Sequence, residues 1–173
     1  MAVGMVDGVG RGAGLALLPF VLTEHGLDGA AISGLYALIF AGGAAGKLLC
    51  GWLGDRIGSV RLVWTTEVVT AAAMILFLVI SGPALVPLAL VFGFALNGTS
   101  SVLYAATAGL IEPERRSRGY GLYYTGVLAA SAVAPVIFGV AADLLDLTSS
   151  FALLAAVVLT IVPLSAPLRR VLT

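Results

Sequence analysis

The chain has 173 residues, of which 60% are hydrophobic and 10% charged, and its mean hydropathy is +1.10. Soluble domains carry about 25% charged residues, so this composition excludes an ordinary water-soluble fold. Nine basic and nine acidic residues give a formal net charge of zero. The chain therefore has no excess positive charge to attract nucleic acid. The sequence therefore predicts the lipid bilayer as a partner and no nucleic-acid binding.

The side chains needed for catalysis are scarce. The chain has one cysteine, Cys50, and one histidine, His25, and it has no nucleotide-binding loop. An enzyme needs a nucleophile, a base or metal ligands that converge on one place. We therefore expect no enzyme activity, no metal site and no cofactor.

Six apolar runs are long enough to cross a bilayer, which takes about 20 residues. They are predicted at residues 2–23, 29–53, 62–80, 84–110, 119–142 and 150–168. The connections between them are short and leave no room for a soluble domain. The sequence thus predicts an all-α membrane protein with a single six-helix domain over residues 1–173.

The basic residues predict how the spans are oriented. They fall in the breaks after the second and fourth spans and in the C-terminal tail: Arg56, Arg61, Arg115, Arg116, Arg118, Arg169 and Arg170. The other breaks offer acidic residues and His25 instead. Because cytoplasmic loops of membrane proteins are enriched in Lys and Arg, we expect both termini to be cytoplasmic in a multi-pass protein of the cell (plasma or inner) membrane.

Two ionisable residues fall inside the first span. An ionisable group at bilayer depth costs at least about 2.5 kcal/mol on insertion scales, so it is a functional candidate. Arg11 lies near the middle of the span, and Asp7 precedes it by four residues, so the two can pair along one helix face. Arg11 would offer an anionic solute a fork of donors, while Asp7 would compete with that solute or carry a proton. A static internal pair is the alternative.

Further polar residues are candidates for a cavity wall. Asn97, Ser101 and Tyr104 follow the spacing of one helix face in the fourth span, which suits either a cavity wall or hydrogen bonding between helices. Tyr36 and Tyr124 are weaker candidates for the same cavity. Glu67, in the third span, is expected to pair with Lys47 or Arg61, and a role in proton coupling is the alternative.

The segment between the second and third spans has a recognisable pattern. It contains Gly51, then Asp55 and Arg56, then Gly58 and Arg61. Glycine suits a tight reversal where backbones crowd or φ turns positive, and this predicts such roles for Gly51 and Gly58. The basic pair, Arg56 and Arg61, is expected to contact Glu112 or Glu114.

This pattern resembles the signature loop of the major facilitator superfamily. Leu18-Pro19-Phe20, Glu114-Arg115-Arg116 and the run from Ala134-Pro135 to Asp143 resemble helices of that family's second half. The resemblance implies a C-terminal six-helix half built from two inverted three-helix repeats. It also implies that Asp55 latches a cytoplasmic gate by contacting the N-terminus of a helix in the other half.

The resemblance has functional implications as well. Gly42 to Lys47 and Asn97 to Ser101 are similar to segments of efflux proteins of the fosmidomycin-resistance kind. The implied function is a secondary transporter half that exports a small solute by ion-coupled alternating access, as antiporters do. Its partner would be the missing N-terminal half or a second copy in a homodimer. The alternative is a truncated, non-transporting membrane fragment or scaffold.

Overall fold

The computed structural model describes residues 1–110 and 115–167. Glu112, Glu114, Arg169 and Arg170 lie outside the described residues, so the contacts and positions predicted for them stay predictions. The described α-helices are α1 (Ala2–Glu24), α2 (Gly29–Ile57), α3 (Ser59–Phe77), α4 (Leu85–Leu110), α5 (Arg116–Leu144), α6 (Leu147–Leu159) and α7 (Ile161–Ser165). A short 3-10 turn, Gly82–Ala84, precedes α4.

Six helical segments are long and apolar enough to cross a membrane. They are Ala2–Glu24, Gly29–Ile57, Ser59–Phe77, Gly82–Ala105, Arg116–Leu144 and Leu147–Ser165. The described residues contain no β-strand. The prediction of an all-α membrane fold with six spanning helices is confirmed.

Two boundaries differ from the prediction. Helix α2 continues through Asp55 and Arg56 to Ile57, so most of the expected loop is helical and only Gly58 separates α2 from α3. The sixth span is two helices that meet at Thr160, whose hydroxyl donates a hydrogen bond to the Val157 carbonyl at 2.6 Å. Hydropathy reports where the chain is apolar and does not register a helix that carries charges past the apolar run.

The most extensive helix pairs are α2 with α4 and α1 with α5. Exchanging α1 with α4 and α2 with α5 converts one pair into the other, as two related three-helix repeats require. Glycines allow both contacts, because a Cβ on Gly93 would meet the Ile39 backbone, and one on Gly8 would lie 2.7 Å from the Val127 carbonyl. Close approach through small residues is how helices gain contact in lipid, where hydrophobicity drives little association.

The two ends of the bundle carry different charges. Six successive crossings bring the start of α1, the α2–α3 junction and the start of α5 to one end, which we call the basic end because its exposed residues include Arg56, Arg61, Arg115, Arg116 and Arg118. The opposite, acidic end carries Glu24, Asp28, Asp143 and Asp146.

Two aspartates at the acidic end begin helices. Asp28 accepts a hydrogen bond from the Ala31 amide at 2.8 Å and starts α2. Asp146 accepts one from the Ser149 amide at 2.7 Å and starts α6, and the Ser149 hydrogen bonds lower the pKa of the Asp146 carboxyl. Each satisfies an amide that the first turn of a helix leaves without a partner.

Candidate functional site

The first span carries a buried ion pair. The Arg11 guanidinium donates from Nη2 to Oδ2 of Asp7, one helical turn earlier. Asp7 is only 4% exposed and the Arg11 side chain 23% exposed. The predicted pairing of Asp7 with Arg11 is therefore confirmed, and its more exposed member is the cation.

Arg11 lies at the wall of a small cavity between α1, α4 and α5. The cavity has a volume of about 130 Å³, enough for a few waters or for part of a small solute. Its lining is Gly8, Arg11, Tyr104, Tyr124, Val127, Leu128 and Ser131. Arg11 Nε is buried and makes no hydrogen bond within the described part of the chain. The guanidinium thus keeps an unused donor beside a cavity with phenol and hydroxyl groups.

Two tyrosines, Tyr104 and Tyr124, line this cavity, and two more contact Tyr104. The Tyr104 ring lies 5.5 Å from the Tyr123 ring and 6.1 Å from the Tyr124 ring, measured between centroids. The Tyr120 hydroxyl donates to the Tyr104 carbonyl at 3.2 Å, which ties α5 to α4. Tyrosine rings offer a solute a flat apolar face, and their hydroxyl groups offer it a hydrogen-bonding partner at the edge.

Behind Asp7 lies a second buried acid that the sequence analysis placed elsewhere. Glu67 on α3 is 2% exposed, and it lies close to the Asp7 and Thr99 side chains. The expected ion pair with Lys47 or Arg61 is wrong, because α3 turns Glu67 inward toward α1 while both cations are exposed. Thr66 and Thr70 on the same face were the available sequence signal, since polar residues at this spacing mark a buried polar stripe.

The threonines extend this cluster onto α4. Thr99 donates a hydrogen bond to the Thr66 hydroxyl at 2.7 Å and is itself fully buried. Asp7 and Arg11 therefore stand at one side of a polar cluster whose other side is formed by α3 and α4. We call Asp7, Arg11, Glu67, Thr66 and Thr99 the polar cluster.

The three residues predicted to share one face of α4 lie in different environments. Tyr104 lines the Arg11 cavity, whereas Asn97 packs against Gly43 of α2 and donates to the Gly93 carbonyl at 3.3 Å. Ser101 is half-buried and does not line this cavity. Tyr36 is also held elsewhere, because its hydroxyl donates to the Leu15 carbonyl on α1.

The signature segment lies at the basic end. Gly58 has φ of +90°, as expected for a tight reversal, but Gly51 lies within α2 with open space where a Cβ would be, so the reversal does not require it. The Arg56 guanidinium stacks over the Trp52 ring at 4.0 Å, while Asp55 and Arg61 are exposed. The latch expected of Asp55 with a second half stays a prediction.

A larger cavity has no polar side chain other than two threonines. Its volume is about 410 Å³, and its walls come from α2, α3 and α4, with Leu53, Val69 and Phe94 among the lining residues. Acyl chains match such a surface, and a polar solute does not. The Arg11 cavity is therefore the better solute site although it is smaller.

A family model described as Major Facilitator Superfamily matches residues 1–171 of the chain. The chain belongs to the Major Facilitator Superfamily. No curated protein matches it.

Membership gives the coarse function. The Major Facilitator Superfamily is a family of membrane transporters, and the six spanning helices described here fit one half of its fold. The protein is a multi-pass membrane transporter of that superfamily.

Proposed function

We propose that this Major Facilitator Superfamily protein moves a small anionic solute, which binds in the cavity between α1, α4 and α5. Arg11 is the principal contact, with Tyr104 and Tyr124 at its sides. Asp7 holds the guanidinium in place while the solute is absent. The proposed movement is alternating access, the rocking of one six-helix half against another around a central site.

One observation carries this proposal. Arg11 Nε is buried, has no hydrogen-bond partner within the described chain, and belongs to a residue that lines the cavity. A buried donor without an acceptor is costly, and a guanidinium presents its donors as a fork that fits a carboxylate, phosphonate or phosphate group. The Arg11 side chain is 23% exposed, so an anion in the cavity can reach this guanidinium.

The second half of the pathway is part of the proposal. Helices α2 and α5 are the least buried spans and present large apolar side chains such as Phe40, Leu48, Leu128 and Val136. Lys47 and Asp55 are exposed on α2 as well. We infer that these faces meet another six-helix unit, either the N-terminal half of a longer transporter or a second copy of this chain. A non-transporting fragment or scaffold is the less favoured alternative.

Direction, coupling and location are proposed from sequence. The resemblance to fosmidomycin-resistance exporters supports export, coupled to an ion. The exposed arginines at the basic end support a cytoplasmic position for both termini in the plasma or inner membrane. Labelling of a cysteine placed at position 115, in a Cys50→Ala background, would be blocked from outside intact cells if this orientation is right.

The decisive experiment is transport by the purified full chain in proteoliposomes. Small labelled anions and a cation of similar size are compared, and we expect anion flux above that of empty liposomes. Arg11→Gln should lower that flux at least ~tenfold, because each lost charge-assisted hydrogen bond is worth about 1.5 kcal/mol or more. Arg118→Gln, which removes an exposed arginine at the basic end, is the matched control and should keep the flux.

Equal anion flux in the wild type and the Arg11→Gln variant would exclude Arg11 as the solute contact. Absence of flux for every anion tested, from chain that is folded and dimeric, would exclude the transport proposal for this chain on its own. Light scattering on the same detergent sample gives the oligomeric state. If the chain is monomeric and shows no flux, the result would favour the N-terminal half of a longer transporter as the partner over a second copy.

A further inference from the structure

The larger apolar cavity is a groove that opens at the surface of the bundle. Helices α2 and α3 both pack against α4 but touch each other little, so a furrow remains between them with α4 as its floor. Ala45 on the α2 wall, Thr65 on the α3 wall and the floor residues Leu90 and Val91 are exposed. We call this furrow the apolar groove, and its exposed lining can be reached from the surrounding lipid.

The two threonines of the groove do not make it a polar site. The Thr65 hydroxyl donates to the Arg61 carbonyl at 3.0 Å, and the Thr66 hydroxyl donates to the Leu62 carbonyl at 2.9 Å. Each hydroxyl proton is thus already used within α3. The groove therefore offers its occupant apolar surface, which suits a hydrocarbon chain.

The groove is about as deep as one leaflet of a bilayer. Its α2 wall runs from Leu53, near the basic end, to Gly42, near the middle of the helix, which is roughly 16 Å at ~1.5 Å per residue. Its α3 wall begins at Leu62, close to the start of that helix, and ends at Val69. The hydrocarbon core of a bilayer is about 30 Å thick, so one leaflet supplies about 15 Å. The dimensions match one acyl chain that enters from the basic end.

Two arginines lie where the groove meets the basic end. Arg56 follows Leu53 by three residues, which puts it on the groove face of α2, and Arg61 precedes Thr65 by four residues on α3. The Arg56 guanidinium lies over the Trp52 ring at 4.0 Å, and both Trp52 and Arg61 are exposed. Tryptophan and arginine are typical of the headgroup level of a membrane.

The charge at this mouth is positive over the described residues. Asp55 lies on a different face of α2, together with Leu48, which belongs to the side proposed to meet the second six-helix unit. The first amides of α3, which begins at Ser59, add partial positive charge at the same end. An exposed ion pair between these arginines and a glutamate of the α4–α5 segment would be weak and would leave them able to bind a phosphate.

We propose that the apolar groove binds an anionic phospholipid, with one acyl chain along the groove and the phosphate at Arg56 and Arg61. The guanidinium fork matches phosphate oxygens. A zwitterionic lipid carries its own cation beside the phosphate, so it is bound less well. The proposed orientation puts this mouth in the cytoplasmic leaflet, where anionic lipids are concentrated. The site shares only α4 with the Arg11 cavity and does not depend on the solute proposed there.

The test compares two lipids with identical acyl chains on the purified full chain. Phosphatidylglycerol and phosphatidylcholine are added to the chain in mild detergent, and native mass spectrometry counts the lipids that stay bound. We expect phosphatidylglycerol to be retained in preference, with one lipid per chain bound most tightly. Equal retention of the two lipids overturns the inference. Glycerophosphoglycerol, the headgroup without acyl chains, should not displace the lipid, and displacement would mean a site for free phosphate esters.

Substitutions at the mouth test the headgroup contact. Arg61→Gln should weaken phosphatidylglycerol binding about fivefold, the contribution of one basic residue near a membrane surface, and Arg56→Gln/Arg61→Gln should weaken it further. Arg118→Gln removes an exposed arginine from α5 at the same end and is the matched control. An equal loss in Arg118→Gln would mean general attraction to the basic end and would overturn the site.

Two neighbouring alanines of α2 test the acyl-chain contact. Ala45 lines the groove, whereas Ala44 is exposed on another face of the helix. Ala45→Phe fills the groove and should reduce retention of phosphatidylglycerol to that of phosphatidylcholine, while Ala44→Phe should leave it unchanged. Both sites are exposed, so the larger side chain requires no repacking of the core. Equal retention in the two variants would contradict an acyl chain in the groove.

A measurement in bilayers keeps the inference testable if detergent strips the lipid. Trp52 and Trp64 lie on the two helices that form the groove walls. Brominated phosphatidylglycerol should quench their fluorescence more than brominated phosphatidylcholine at the same mole fraction, and equal quenching would contradict the site. Light scattering identifies the competing occupant, because a dimer that retains no phosphatidylglycerol would mean that a second copy covers the groove and would overturn the inference.

Discussion

The two ends of the bundle use the same helices but different chemistry. Toward the acidic end, Leu18, Phe77, Phe92 and Phe151 are almost completely buried in one large apolar core, in which the Phe77 and Phe92 rings meet edge to face at 5.4 Å. Toward the basic end the apolar core is smaller, and the polar cluster lies beside it.

This difference separates what holds the helices together from what the transporter works with. An apolar interior suffices for packing, and the acidic end shows that this chain can build one. Asp7, Arg11 and Glu67 are all unfavourable at bilayer depth, so packing alone gives no reason for their presence. Substitutions in the two regions should therefore fail in different ways.

Loss of the Arg11 charge has the largest expected effect. Arg11→Ala leaves the two acids without their cation, and breaking a buried pair in this way costs about 3–5 kcal/mol of unfolding free energy. Anion binding should be lost as well. Unfolding in detergent and binding of a labelled small anion measure the two effects, with Arg118→Ala as the control. A variant as stable as the wild type would mean that water, and not Arg11, solvates the acids.

Phe92→Ala should have the next largest effect and should act on stability alone. Phe92 is fully buried, so the lost packing and the resulting cavity should cost about 3 kcal/mol. Anion binding at Arg11 should be unchanged in the fraction that folds. Phe20→Ala, at a residue that is 61% exposed, is the control. A changed affinity for the anion in folded Phe92→Ala would show that the two ends are not independent.

Two neighbouring threonines give a smaller and closely matched contrast. Thr66 accepts the Thr99 hydrogen bond across α3 and α4, whereas Thr65 is exposed and donates to the Arg61 carbonyl of its own helix at 3.0 Å. Thr66→Val should cost about 0.6–1.7 kcal/mol, the range found for hydrogen bonds between membrane helices. Thr65→Val should change the unfolding free energy little. Equal effects of the two substitutions would refute a stabilising link between the helices.

The smallest effect concerns pH at the acidic end. Hydrogen bonds from Ser149 lower the folded-state pKa of Asp146, so its capping contribution is present above the unfolded pKa, about 3.9, and is lost as pH falls through the folded value. The melting temperature of Asp146→Ala should lie below that of the wild type at neutral pH and converge with it in strong acid. Asp143→Ala is the control. A constant difference at all pH values would argue against the cap.

Much of the fold follows from the sequence because lipid imposes simple rules. Hydropathy and length identified six spans, and a separation of four residues identified the Asp7 and Arg11 pair. Spacing along one helix shows which residues share a face, but it does not show which helix covers that face. For this reason the three predicted cavity residues lie apart: Tyr104 lines a cavity, while Asn97 belongs to the contact with α2 and Tyr36 to a hydrogen bond with α1.

Glu67 shows where reasoning from the sequence ends. Its contact with Asp7 depends on α1 packing against α3, and the two residues are far apart in the chain. The nearest cations by helix depth were Lys47 and Arg61, which made an ion pair the simplest expectation. Only the packed helices show that this acid meets another acid.

The single-residue junction at Gly58 has a mechanical consequence. Its amide donates to the Gly54 carbonyl of α2, and its carbonyl accepts from the Leu62 amide of α3, both at 3.1 Å. The two helices are thus joined through one hydrogen-bonded residue, which leaves almost no room for their ends to move apart. Glu67 lies on α3, nine residues after Gly58, which is a distance of roughly 13 Å at ~1.5 Å per residue. A movement of the signature segment on α2 therefore also displaces Glu67 on α3.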